Sequence, residues 1–339
     1  MKIVWEWSLE SEAKRLVEMT HKISNGFYHL HHFLPVPYSI HHGSSHNPSH
    51  LVYLPNLQYS QIPRYWEQLS KLNDQDYYNE DLLKLANLLL PVLMSLAPKP
   101  LNPVDMINQS NITLPKIASW LKETFPNLPL PSNLIVHPTH FGTLGSFSLL
   151  KGKTITLYLR TDQDLYTLVE LFLSAILRPH AGNTLYSDWE KTEYLVDYLM
   201  LESSLKNLLP KNSSWSPTTT PPNYNQALID ESNSFISKLG IPNPASNHFK
   251  VKDNSVYFGN LNLSTLTSRE ILIMKKLIES SPSPVTNDQI ADLIFSNDSK
   301  FSLTAIGKTI ERLRKKLNIL GISSSYLATA SGIGYYLKS

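Results

Sequence analysis

Apolar and polar positions alternate with two different periods along this chain, and the changes of period divide it. From Leu9 to Ser24, Arg64 to Leu72, Asp81 to Leu96 and Leu114 to Phe125, apolar residues recur every three or four positions, which predicts helices with one buried face. The last of these has Thr113 as its cap and Pro115 in its first turn, where a missing N–H costs nothing. Between 134 and 160 the period shortens. Leu134 to His137, Thr143 to Leu149 and Thr154 to Arg160 are rich in β-branched or apolar residues and bounded by Gly or Pro, so strands are predicted. Helical spacing returns over Asp164 to Leu177 and Ser187 to Leu209. It is then lost in Ser213, Ser214, Trp215, Ser216 and Pro217, followed by three Thr and two Pro, the composition of a linker and of a protease-sensitive site. A short helix is predicted from Gln226 to Leu239, stopped by Gly240, Pro242 and Pro244.

From His248 onward the pattern is denser. Phe249 and Val251 alternate with Lys250 and Lys252, a turn follows at Asp253 to Ser255, and Val256 to Phe258 and Leu261 to Leu263 complete a set of short antiparallel strands. Thr267 with Glu270 makes a capping box for a helix from Ser268 to Glu279, with Ile271, Leu272, Met274, Leu277 and Ile278 as its apolar stripe. Thr286 with Gln289 repeats the device for a second helix, Asn287 to Phe295. In the third, Leu303 to Leu320, Ile306, Ile310, Leu313, Leu317 and Leu320 recur at spacings of four, three, four and three. Its other face is basic: Thr304, Lys308, Glu311 and Lys315 project away from the stripe, flanked by Arg312, Arg314 and Lys316, and Ser302 caps the start. Tyr326 to Ala330 and Tyr335 to Lys338 predict a hairpin, with Gly332 and Gly334 near its tip.

Composition adds boundaries to this picture. A chain of 339 residues with 42% hydrophobic and 17% charged residues is long enough for two or more domains and apolar enough to fold. The absence of cysteine excludes disulfides and thiolate zinc sites. The opening residues, with Glu6, Glu10 and Glu12, lack the form of a signal peptide, and Lys84, Asn87 and Pro91 interrupt the apolar run from Leu82 to Ala97, so the expectation is a cytoplasmic protein with no membrane partner. The net charge of +2 hides a division. Residues 248–339 hold nine Lys and three Arg against four Asp and three Glu, a net of +5, whereas the rest carries 18 basic and 21 acidic residues, a net of −3. The basic end is the candidate for a polyanionic partner.

At these residues the chain resembles the effector domain of the OmpR/PhoB winged-helix family. The resemblance rests on LTSRE at Leu266 to Glu270, IERLRKKL at Ile310 to Leu317 and ATASGIGYYL at Ala328 to Leu337, in the family's order. It implies, over 248–339, a winged helix-turn-helix with antiparallel strands before it and a β-hairpin wing after it; with the upstream pattern, the expectation is an α+β protein with a mixed α/β regulatory region over 1–209, divisible near 127, and a linker with a short helix over 210–247. The resemblance further implies double-stranded DNA as the partner, with a homodimer and an RNA polymerase contact as further expectations. The recognition helix, 303–320, would lie in the major groove and the wing, 326–338, on the backbone or minor groove. The contact residues expected are Thr304, Lys308, Glu311, Arg312, Arg314, Lys315, Lys316, Thr329, Ser331 and Gly332. Two departures from the family pattern stand out: Ser331 where an Arg is frequent, and Glu311 where a basic residue is frequent, able to accept from a cytosine amino group. A receiver domain is not expected upstream, because the first 240 residues lack its acidic pair after an opening strand.

An alternative class is a metal-dependent hydrolase, with the winged helix as its targeting module. Eight of the twelve histidines fall between His21 and His50, and His42, His46 and His50 are spaced by four, although Gly43 and Pro48 oppose a helix there. Separately, strand 154–160 followed by Val169, Glu170 and Leu173, then Glu190 and Glu193, faintly resembles a zincin whose two histidine positions have become apolar, an inactive scaffold. Lys151 to Thr154 has too little of a phosphate loop to count. The expectation is a regulator that is not an enzyme, with no catalytic residue, no metal and no cofactor.

Overall fold

A computed structural model describes residues 1–38, 50–70, 72, 80–96, 101–147, 153–178, 189–210, 215–220, 222–241, 248–259, 261–294 and 302–338. The chain opens with β1 (Lys2–Trp5), α1 (Leu9–Ser24), α2 (Phe27–Leu30), β2 (Leu34–Pro37), β3 (Leu51–Leu54), α3 (Tyr65–Leu69), α4 (Glu80–Leu96) and α5 (Val104–Thr124). There follow β4 (Asn133–Thr139), β5 (Gly145–Phe147), β6 (Thr154–Arg160), α6 (Leu165–Leu177), α7 (Trp189–Glu202) and α8 (Gln226–Lys238). The last third holds β7 (Phe249–Lys252), β8 (Ser255–Phe258), β9 (Leu261–Asn262), α9 (Ser268–Ser280), β10 (Val285–Thr286), α10 (Asn287–Ile294), α11 (Leu303–Ile319), β11 (Leu327–Ala330) and β12 (Gly334–Leu337). Helices and sheets of both kinds make it an α+β chain. It divides into two compact units: residues 1–19, 32–58 and 83–236 form the first, and residues 20–31, 59–82 and 237–339 the second.

The first unit is built on a four-stranded sheet of order β1-β4-β6-β5, with β1, β4 and β6 parallel and β5 antiparallel at the edge. Leu134 and Val136 of β4 and Ile155, Leu157 and Leu159 of β6 point into one core with α6, eleven of whose thirteen residues are buried. Asp164 caps α6, accepting the Thr167 N–H at 3.2 Å. Two expectations need correction. The helix predicted to start at Leu114 begins at Val104, so Pro115 is interior; it is tolerated because Pro115 and Asn111, whose carbonyl loses its partner, both face solvent. The helix predicted over Ser187 to Leu209 is α7 followed by a separate 3-10 turn, Ser204–Leu208, because the Ser203 side chain captures the Leu205 N–H. Three short strands escaped the sequence pattern. β1 joins the sheet by pairing with β4, Ile3 opposite Leu134, and β2 pairs with β3 in parallel.

In the second unit the strands β7-β8-β9 form an antiparallel sheet, and β10-β12-β11 a second one. Between them α9, α10 and α11 share a core in which Ile273, Met274, Leu277, Ile290, Ile306, Ile310, Leu313 and Leu317 are fully enclosed. Segments from far upstream join this unit. Leu30 of α2 belongs to the same core, the Ser323 N–H donates to the Asn25 carbonyl at 3.0 Å, and the Thr20 and Tyr65 hydroxyls meet at 2.6 Å. Gly26, at φ +81°, lies so close to Tyr326 that a Cβ there would sit 2.4 Å from the tyrosine oxygen. The Trp66 indole donates to the Leu239 carbonyl at 3.1 Å. The unit is therefore larger than the span 248–339 alone.

Candidate nucleic-acid interface

The interface is positioned by the two capping boxes the sequence displays. Thr267 and Glu270 cap α9 reciprocally, the Thr267 N–H donating to Glu270 Oε2 at 2.7 Å. Thr286 and Gln289 do the same for α10, at 3.0 and 3.2 Å. Ser302 caps α11 by accepting the Ala305 N–H at 3.1 Å. With Ile306, Ile310, Leu313 and Leu317 all at 0% exposure, α11 is held along one side and its opposite side is left at the surface.

On that outer side Thr304, Lys308, Arg312 and Lys315 are exposed, and Glu311 is partly buried. Glu311 and Lys315 form an i,i+4 pair at 3.4 Å. Gly307 lies beside them, and a Cβ added there would meet nothing within 4 Å, so packing does not demand a glycine. Thr329, Ser331 and Gly332 are exposed on the hairpin, whose turn uses Gly332 at φ +73°. Gly334 has a different reason: a Cβ there would lie 2.0 Å from the Val285 carbonyl oxygen, so it lets β10 and β12 approach.

Two of the expected contact residues are engaged inside the unit. Arg314 donates from Nε and Nη2 to the Leu327 carbonyl at 2.9 and 2.7 Å and from Nη2 to the Thr329 hydroxyl at 2.9 Å, with its guanidinium 5.9 Å from the Tyr335 ring centre. It braces the hairpin against α11. Lys316 donates to Glu270 Oε2 at 2.6 Å and to the Thr265 carbonyl at 3.1 Å, tying the same helix to the start of α9. Burial pushes the Glu270 carboxyl up, but Lys316 and the Thr267 hydrogen bonds outweigh it and hold the group below its ordinary value. These two roles depend on which elements meet in space, and the helical periodicity of α11 carried no trace of them.

A three-helix core with a basic outer helix and a glycine-tipped hairpin is the architecture of a DNA-binding winged helix, and residues 262–337 match the family model described as transcriptional regulatory protein, C terminal. Residues 262–337 are an OmpR/PhoB-type winged-helix domain. Comparison with curated proteins and with solved structures gave no match. The winged helix thus covers the end of the chain, and the family match stops there.

Outside the winged helix, the candidate metal residues His42 and His46 lie outside the described residues. Among the described residues, no three His, Asp or Glu side chains come together as a metal site, and no helix is long and apolar enough to cross a membrane. The two zincin positions, Val169 and Leu173, are fully buried core residues of α6. Glu170 between them is buried too, and is covered by part of the segment expected to be a linker: its Oε2 accepts the Trp215 indole N–H at 2.7 Å and its Oε1 meets the Thr218 hydroxyl. α8 is likewise anchored, its Ser232 hydroxyl donating to the Pro35 carbonyl at 2.7 Å.

Proposed function

We propose that this protein is a sequence-specific DNA-binding transcriptional regulator that acts through α11 in the major groove and the β11–β12 hairpin on the backbone or minor groove. The observation that carries this reading is the division of α11: one side is fully enclosed, and the other presents Thr304, Lys308, Glu311, Arg312 and Lys315 in a row. An exposed basic helix face of this length suits a groove about 12 Å wide. Base readout falls to Lys308 and Arg312 near the middle, and phosphate contact to Lys315 towards the end. Arg314 and Lys316 serve by holding the wing and α11 in place. Control without a phosphoacceptor receiver belongs to this reading, and it is supported by the antiparallel edge strand of the first unit's sheet and by the described helices α1 to α5 that separate its neighbouring strands β1 and β4. Dimerisation on tandem half-sites and contact with RNA polymerase belong to the same reading.

Binding titrations against matched and scrambled duplexes at several salt concentrations test it. Lys308→Ala or Arg312→Ala is expected to cost about 1 to 3 kcal/mol on the matched site and to flatten preference at one base position. Lys315→Ala is expected to weaken both duplexes alike and to lower the salt slope by about one. A folded protein with no salt-dependent DNA affinity overturns the reading.

A further inference from the structure

Within the first unit, α6 and α7 bury three carboxylates beside the partly buried guanidinium of Arg178, which follows α6. Glu170, Glu193 and Asp197 are each 4 to 5% exposed. Glu193 is matched: it accepts from Arg178 Nη2 at 2.7 Å and from the Ser174 hydroxyl at 3.1 Å. Asp197 accepts the Thr219 N–H at 3.0 Å and the Thr219 hydroxyl through Oδ2, while its buried Oδ1 has no hydrogen-bond partner among the described residues. Glu170 receives the Trp215 indole and the Thr218 hydroxyl, and the Trp215 ring stacks on Tyr166 with centres 5.9 Å apart. Trp215 and Thr218 thus contact the Glu170 carboxyl, and Thr219 contacts that of Asp197.

We propose that the segment from Trp215 to Thr219 is a clasp held shut by a proton on Glu170, and that loss of this proton releases it. Among the described residues, an ionised Glu170 in the closed state would be a buried charge without a countercharge of its own, because Arg178 is already matched to Glu193. The neutral acid avoids that penalty and keeps both contacts, since its carbonyl oxygen accepts the indole N–H and its O–H can donate to the Thr218 oxygen. Burial first, then the neighbouring Glu193, push Glu170 from 4.5 to about 8; the Thr218 and Trp215 bonds oppose this and Asp197 adds to it. An open clasp would hydrate Glu170 and return it to its ordinary range. Closure then takes up a proton, so the closed form is fully favoured below about pH 4.5, and the advantage is lost progressively as the pH rises to about 8. The other groups facing the clasp are Glu193 and Asp197 on α7, Arg178 at the end of α6, Tyr166 on its first turn, and His50, which bonds the Thr218 backbone. Burial, then His32, pulls His50 down to about 4, and burial pushes Tyr166 up, so neither changes charge between pH 6 and 8. Burial raises Glu193 as well, opposed by Arg178 and Ser174. The clasp precedes α8 in the chain. Neither the clasp nor its test rests on the DNA-binding reading.

Hydrogen exchange of the full chain between pH 6 and 9, corrected for the intrinsic pH dependence of amide exchange, reads the clasp through the amides of residues 215–220. The protection factor of the wild type is expected to fall about tenfold per pH unit up to about pH 8 and then to level, the slope of one linked proton. Glu170→Gln, neutral at every pH, is expected to stay protected without a slope. Glu193→Gln removes the adjacent negative charge while leaving Glu170 in place, and is expected to move the levelling point to lower pH. A flat wild-type profile, a parallel fall in Glu170→Gln, or an unmoved levelling point in Glu193→Gln overturns the proposal. Should Glu170→Gln fail to fold, the Glu193→Gln profile decides.

Discussion

Lys316 shows how far a residue's chemistry depends on what lies opposite it. Its charge and position near the end of α11 suggest a phosphate contact, yet its ammonium is spent on Glu270 and the Thr265 carbonyl. Lys316→Ala is therefore expected to cost about 1 to 2 kcal/mol of folding stability and to leave the salt slope of DNA binding unchanged. The pair also fixes a pH dependence. Glu270 has a lowered folded-state pKa, so its contribution is present above the ordinary carboxylate value of 4.5 and is lost as the pH falls through the lowered value. Denaturant unfolding from pH 7 to pH 3 should show that acid loss in the wild type and a shallower one in Lys316→Ala; equal slopes would mean that the pair carries no linkage. The two wing glycines make a similar point about legibility. Both were visible as turn residues, but only Gly332 uses a positive φ, and the reason for Gly334 is the Val285 carbonyl on a strand of two residues that no period reveals.

At the scale of elements, the sequence was most informative where one helix or strand had to satisfy itself. α1, α6, α9 and α11 were legible because their apolar stripes are local, and the capping boxes at Thr267 and Thr286 stand where the spacing put them. What stayed hidden was pairing. β1 has four residues of middling burial and no alternation, and β2 holds two prolines among four residues, so their partners β4 and β3 define them. The orientation of the wing is another paired property. Because Arg314 alone gives three hydrogen bonds from α11 to β11, Arg314→Ala should loosen the hairpin while the three helices stay folded. Amide exchange over 327–337 should rise by about tenfold, matching roughly 1.4 kcal/mol for bonds from a charged donor. Unchanged exchange there would assign Arg314 to the outer surface instead.

For the whole molecule, the second unit draws on three separated stretches, which no reading of domain boundaries along a line would assemble. Burial pushes the Tyr326 hydroxyl well up, and Phe249 and Phe258 crowd its ring at 5.6 and 4.9 Å. Gly26 and Asn25 supply part of that enclosure. The fragment 248–339 is thus expected to fold less stably than the same residues in the full chain, with weaker amide protection over 322–327; equal protection in both would show that the upstream segments are bystanders. The same arrangement constrains the order of events during synthesis. At about 5 to 20 residues per second, a ribosome releases residues 20–31 and 59–82 tens of seconds before the stretch they pack against exists. For that interval Leu30 lacks the core it joins and the Trp66 indole lacks the Leu239 carbonyl, so this is a chain whose early segments need shelter on the ribosome while its last hundred residues are still being made.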